Sequence, residues 1–213
     1  MKKLITILAV LAIAVPVLAQ QTLSYGWENG VDTVLGYYGT PVNEGETPIF
    51  ATINDTQVNG GMYSLQLIDN APSGTPQAFV AAVYGLQEGD EVTGVIYRYD
   101  DTESGAPSCR IWGHWNNSLG TPEEDITGYD GSASGNNSYG DDIGWGAIEY
   151  TWVVPAEKTG LIIEVRTYSN AGDTVWVDDL TVTAPDGATI RFADGGTVGV
   201  QNQSLSAVKA LFN

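Results

Sequence analysis

The segment Gly160-Leu161-Ile162-Ile163-Glu164-Val165-Arg166-Thr167-Tyr168, then Thr174-Val175-Trp176-Val177-Asp178-Asp179-Leu180-Thr181-Val182-Thr183 after a short polar break, decides the fold class. Both runs are dense in Val, Ile, Thr, Tyr and Trp, residues that suit a pleated, half-buried surface. Along the first, Leu161, Ile163 and Val165 point one way while Ile162, Glu164 and Arg166 point the other, the period of two expected of a strand. Pro155 to Gly160 and Asn170 to Asp173 carry turn chemistry, so the end of the chain reads as a run of antiparallel hairpins.

The same grammar extends outward. Between Thr22 and Phe192 no helical periodicity of useful length interrupts it. Further strands are expected at Leu23–Trp27, Tyr63–Ile68, Gln77–Tyr84, Glu91–Tyr99, Ser108–Trp115, Ala147–Val154 and Ala188–Phe192. Gly85 to Asp90 is a turn with glycine available for positive φ. The expectation is an all-β chain, a jelly-roll β-sandwich of two antiparallel sheets. Residues 116–142 differ, being nearly all Gly, Asn, Ser, Asp and Tyr. A loop of that length inside a compact domain is functional or disordered.

The ends read differently from the middle. Lys2 and Lys3 precede an apolar run from Leu4 to Leu18, and Val17 and Ala19 are small residues spaced for cleavage before Gln20. The run is short of the ~20 residues that span a bilayer. Residues 1–19 are therefore expected to be a signal peptide, 20–194 the sandwich domain, and 195–213 a linker with a short amphipathic tail. Extracellular release without membrane insertion follows. In the tail, Leu205, Val208, Leu211 and Phe212 lie at helical spacing, either to dock on the domain or to serve as a tag for export or surface attachment.

Charge narrows the partners. The 213 residues carry 8 basic and 26 acidic side chains, a net −18. Without Lys2 and Lys3, six basic residues face the 26 acidic ones, for about −20. Such a field repels nucleic acid and anionic lipid, tolerates neutral sugars and suits divalent cations. Cys109 is the only cysteine, so no internal disulfide exists. It is either a buried apolar filler or a link to another chain.

Three stretches in order resemble one family. Tyr25-Gly26-Trp27-Glu28-Asn29-Gly30 is similar to the aromatic-Glu-x-Gly opening of galactose-binding-like jelly-roll modules. Gly61-Met62-Tyr63-Ser64-Leu65-Gln66-Leu67 resembles their G-x-x-S-L-x-L strand, and Trp176 to Val182 their closing strand. That family includes carbohydrate-binding modules of the xylan- and glucan-binding kinds. Thr75 to Ala78, Gly85 to Asp90 and Arg110 to Trp115 also resemble uncharacterised jelly-roll domains that accompany secreted bacterial hydrolases and nucleases. The resemblance implies a structural Ca²⁺ held by the carboxylates of Glu28 and Asp178, with backbone oxygens completing the shell. Alternation places Asp178 on one face with Trp176, Leu180 and Val182, read as the core face, where a lone carboxylate is costly. Backbone N–H groups are the other way to satisfy it.

A sugar site needs an aromatic ring to stack on and a few fixed polar groups. Arg110, Trp112 and His114 share one face of their strand, and Ile111, Gly113 and Trp115 the other. With Ile111 inward, the first three form an aromatic-polar stripe facing out, and Tyr97 and Tyr99 are expected to flank it. Catalysis finds little support. Gly131-Ser132-Ala133-Ser134-Gly135 has alanine where a nucleophile elbow needs serine. Glu149 and Glu164 alternate suitably for a carboxylate pair, but charges on outer strand faces are ordinarily solvated. The resulting expectation is a secreted, non-catalytic module that binds a polysaccharide or other glycan, with a structural Ca²⁺. A structural or adhesive surface domain is the second reading, and a polysaccharide hydrolase or lyase the third.

Overall fold

The computed structural model describes residues 19–139, 143–195 and 197–198. The expected signal peptide and most of the C-terminal tail lie outside the described residues. Within them the chain forms strands β1 (Gln20–Tyr25), β2 (Gly36–Tyr38), β3 (Ile49–Asn54), β4 (Ser64–Asp69), β5 (Gln77–Tyr84), β6 (Glu91–Asp100) and β7 (Ser108–Trp115). They are followed by β8 (Ser132–Gly135), β9 (Gly144–Val153), β10 (Gly160–Tyr168), β11 (Thr174–Pro185), β12 (Thr189–Arg191) and β13 (Thr197–Val198). No helix among the described residues is long and apolar enough to cross a membrane.

Two antiparallel sheets result. The first runs β3-β4-β11-β6-β9, with β1 also on β11. The second runs β13-β12-β5-β10-β7-β8, with β2 also on β5. The all-β sandwich expected from alternation is the observed fold, and β5, β7 and β10 have the expected limits. Between the sheets, Leu65, Leu67, Val80, Ile96, Ile111, Ile163, Val165, Val177 and Leu180 exclude water completely or nearly so. Cys109 is part of this core, and burial pushes its thiol up to about 12, which leaves it unreactive.

Several expectations are corrected. The end of the chain is not a run of hairpins: β9 and β11 belong to the first sheet and β10 to the second. The turns at Pro155–Gly160 and Asn170–Asp173 therefore arch between sheets. Turn residues report a change of direction, and they do not report which strand is paired next. The strands β2, β3, β8 and β13 were not anticipated; β13 pairs with β12 inside the stretch expected to be a linker, and β8 is a Ser-Ala-Ser-Gly run with little β propensity without its partner β7.

Trp176 is also reassigned. The register of β11 against β6 shifts between Asp178 and Thr181, and Asp179 has φ 46°. This bulge adds a residue, so Val175 and Val177 face the core before it and Leu180, Val182 and Ala184 after it. Trp176 thus faces outward, packed edge-on against Tyr99.

Candidate functional site

The outer face of the second sheet is built by β5, β10 and β7 in that order. Its register sets Glu164 opposite Trp112, Ile162 opposite His114 and Arg166 opposite Arg110. Ile111 is fully buried, so the inward and outward faces of β7 are as expected, and Trp112 and His114 look away from the core. Half of this outer face is covered. Residues 116–131 fold back over it and enclose a small second core of Phe79, Ala82, Leu119 and Ile162.

The covering segment is docked rather than loose. Asn116 is buried and its side chain holds the Ser118 N–H at 3.0 Å and the Asp125 carbonyl at 2.8 Å. Arg191 pairs with Glu124 at 2.7 Å. Asp130 accepts the Asn117 N–H at 2.7 Å, and Lys158 donates to the Asp130 carbonyl at 2.8 Å.

The uncovered half is a recess lined by Gln77, Trp112, His114, Glu164 and Arg166, with Tyr38 and Tyr129 at its rim. Its volume of about 180 Å³ is below the ~300–1,000 Å³ of pockets that swallow a drug-sized ligand, so it receives only one part of a larger molecule. Tyr38 and Tyr129 are 58% and 60% exposed, two large rings held in water on either side of a polar floor.

That floor is centred on Glu164, only 1% exposed, which corrects its reading as a solvated outer-face charge. His114 Nδ1 bonds its Oε1, and Gln77, with its amide nitrogen turned inward, donates to both carboxylate oxygens at 3.0 and 2.6 Å. Burial pushes the Glu164 carboxyl above the usual range, and His114 and then Arg166 pull it back in part. The other His114 nitrogen faces the Gly128 carbonyl at 3.1 Å. Both ring nitrogens are engaged, so the orientation of the ring is fixed. His114 is braced further between Phe79 and Tyr129.

Of the residues expected at a sugar site, the structure brings Trp112 and His114 together in the recess. Arg110 sits beside it, stacked on Tyr139 with its guanidinium 3.5 Å from the ring centre. Tyr97 and Tyr99 do not flank the stripe. They are on β6, in the opposite sheet, and face the other side of the sandwich with Trp145 and Trp176. Strands consecutive in sequence share no outer face once the chain crosses between sheets. Glu164, Gln77, Arg166, Tyr38 and Tyr129 were missed. The outward parity that Glu164 shares with the apolar Ile162 was the one available signal, and nothing local paired it with a histidine 50 residues away.

The acidic cluster lies elsewhere, where β11 bulges against the loop before β4. Asp178 is fully buried and accepts backbone N–H bonds from Asn59 at 2.9 Å, Gly60 at 3.1 Å and Asp179 at 2.7 Å. Glu28 accepts the N–H groups of Met62 and Tyr63 at 3.0 and 3.2 Å. Desolvation pushes the Asp178 carboxyl up, and the three N–H groups oppose that rise. Space is tight here: a Cβ on Gly61, whose φ is 68°, would meet the Glu28 carboxylate, and one on Gly60 would lie 2.7 Å from Asp179 Oδ2. Among the described residues, no three acidic, histidine or cysteine side chains converge as a metal site.

No protein-family model matches the chain, and no curated protein matches its sequence. Solved structures match its layout. The CBM22-1 xylan-binding domain of Paenibacillus barcinonensis Xyn10C superposes with a TM-score of 0.46 at 15% identity, over 80% of this chain and 98% of its own. The CBM27-1 module of Caldicellulosiruptor saccharolyticus, solved with mannohexaose, gives 0.39 at 14% identity, over 76% and 96%. The enzymatically active domain of bacteriophage CBA120 tailspike protein 4 gives 0.48 at 13%, over 75% of this chain but 20% of its own.

Proposed function

We propose that the chain is a non-catalytic, carbohydrate-binding-module-like domain that holds a glycan over the recess of the second sheet. The observation carrying this reading is the pair of water-exposed tyrosines, Tyr38 and Tyr129, at the rim of a recess with Trp112 among its lining residues. Sugar rings present C–H faces to aromatic rings and hydroxyls to fixed polar groups. Gln77, Glu164 and His114 are such groups, already locked by one another. A binding rather than a catalytic role is supported by the same bonds. His114 spends both nitrogens on Glu164 and Gly128, and Glu164 is the only carboxylate among the described residues that line the recess, whereas glycoside hydrolysis ordinarily uses two.

Each stacked ring contributes on the order of 1 kcal/mol, so affinity for a short oligosaccharide is in the micromolar range or weaker. Trp112→Ala and Tyr129→Ala should each cut retention on the bound polysaccharide in affinity electrophoresis several-fold. Both should keep their β-sheet circular dichroism, since neither ring belongs to the core. Unfolding of the Trp112→Ala variant, or unchanged retention by both, removes this reading. Glu28 and Asp178 are proposed as ligands of a structural Ca²⁺, supported by the complete burial of Asp178. Further oxygens would come from backbone carbonyls. Secretion is proposed on the N-terminal pattern alone.

A further inference from the structure

Among the described residues the basic side chains are Arg98, Arg110, Lys158, Arg166 and Arg191, and two of the five stand directly opposite each other. Arg166 on β10 is the register partner of Arg110 on β7. Like charges at facing positions of an antiparallel pair destabilise the sheet. A chain this acidic had many carboxylates with which to neutralise them. Neither arginine nevertheless forms an ion pair with a carboxylate of the described residues, whereas Arg191 pairs with Glu124.

Aromatic rings hold the two guanidiniums instead. Arg110 lies 3.5 Å from the Tyr139 ring centre and 4.5 Å from that of Tyr168, and Arg166 lies 4.6 Å from that of Trp112. Ring faces ease the crowding of two cations without removing their charge. Arg110 Nε is buried with no hydrogen-bond partner. Arg166 directs Nε and Nη2 at the Thr75 hydroxyl, 2.9 and 2.8 Å away, a neutral partner that fixes the plane of the fork. Arg166 also lines both the recess and an adjoining depression formed by Tyr37, Gly39, Ser73 and Gly74. With Tyr38, it therefore stands between two adjoining depressions. Glu164, two residues away, is already engaged by His114 and Gln77.

We propose that the recess and the depression beside it select a glycan bearing an anionic substituent, a carboxylate or a sulfate ester, received by Arg166 with Arg110 reinforcing the local positive charge. The proposal rests on the glycan-binding reading above and specifies its ligand. A planar guanidinium held by a hydroxyl and an indole is preorganised for two-oxygen recognition of such groups. The protein's overall negative charge does not forbid it. At physiological ionic strength charges more than ~8 Å apart are largely screened, whereas the arginine contact acts at hydrogen-bond distance.

The test is affinity electrophoresis of the mature protein through polygalacturonate, dextran sulfate and neutral glucomannan at 0.15 M salt. The expected result is retention on one of the two polyanions at least ten-fold stronger than on glucomannan, and the preferred one identifies the carboxylate or the sulfate. Arg166→Gln should abolish that preference with its melting temperature within a few degrees of wild type. Wild-type retention on the polyanion should also fall when salt is raised to 0.5 M, a readout that needs no variant. Equal retention of wild type and Arg166→Gln on the polyanion, salt-independent retention, or preference for glucomannan overturns the anionic assignment and leaves glycan binding standing. Retention on none of the three overturns both.

Discussion

Glu164 and Asp178 are both carboxylates withdrawn from water on neighbouring strands in sequence, yet they are satisfied in opposite ways. Asp178 takes three backbone N–H bonds inside a bulge, beside the closely packed Gly60 and Gly61. Glu164 takes an imidazole and an amide, both side chains, at the floor of an open recess. Backbone donors have nowhere else to turn, so the first arrangement ties loop 55–63 to β11 and fixes local structure. Side-chain donors can be rearranged or shared with a ligand, and the second arrangement presents a surface. The contrast separates an acid that holds the fold from one that equips a site.

The contrast breaks most visibly at Asp178. Replacing it with alanine strands three N–H groups, at a cost of about 3 kcal/mol, or a fall in Tm of roughly 6–12 °C for a chain of this size. The measurement is a thermal melt, repeated with EDTA. A Ca²⁺ at Glu28 and Asp178 predicts that chelation lowers the wild-type Tm by several degrees and leaves Asp178→Ala unmoved. A wild-type melt indifferent to EDTA removes the ion and leaves the N–H bonds as the whole account.

Glu164→Gln should have a smaller effect on stability, about 1–2 kcal/mol, because Gln retains the shape and one acceptor for His114. Its larger effect should be on glycan retention. Its pH signature has a definite sign. Burial raises the Glu164 carboxyl in the folded chain, so folded protein holds a proton that the unfolded chain has already released. The stability this contributes is complete below the ordinary glutamate value near 4.3 and is lost as pH climbs through the raised folded value. Denaturant midpoints of wild type minus Glu164→Gln should therefore decline from about pH 4 upward. A difference that rises with pH contradicts the buried-carboxylate account. Asp178 shifts in the same direction, and the subtraction cancels it.

The smallest effect is expected at the docked loop. Glu124→Ala removes a partly exposed pair with Arg191, worth at most about 1 kcal/mol. Limited proteolysis sharpens the comparison: wild-type residues 116–139 should resist cleavage, since Asn116, Asp125 and Asp130 anchor them. Rapid cutting there in wild type would show the recess wall at Tyr129 to be unsupported.

How much of this was legible beforehand follows the range of the forces involved. Alternation along Leu161 to Arg166, or along Arg110 to Trp115, is a property of extended backbone, so it assigns faces without knowledge of neighbours. Three strands were delimited correctly in this way, and Trp112 and His114 were placed outward together. Sheet membership is another matter. It depends on hydrogen bonds between segments far apart in the chain, and for this reason Tyr97 and Tyr99 went to the wrong side and two arches passed for hairpin turns. The bulge at Asp178–Thr181 has no composition signal either, because its cause is the loop of Asn59 and Gly60 reaching across from another part of the sheet. A chain read residue by residue settles what each strand prefers to bury. Which acid meets which histidine, and which arginine stands across from which, is settled by the pairing of strands dozens of residues apart, where each buried polar group takes the partner that packing brings to it.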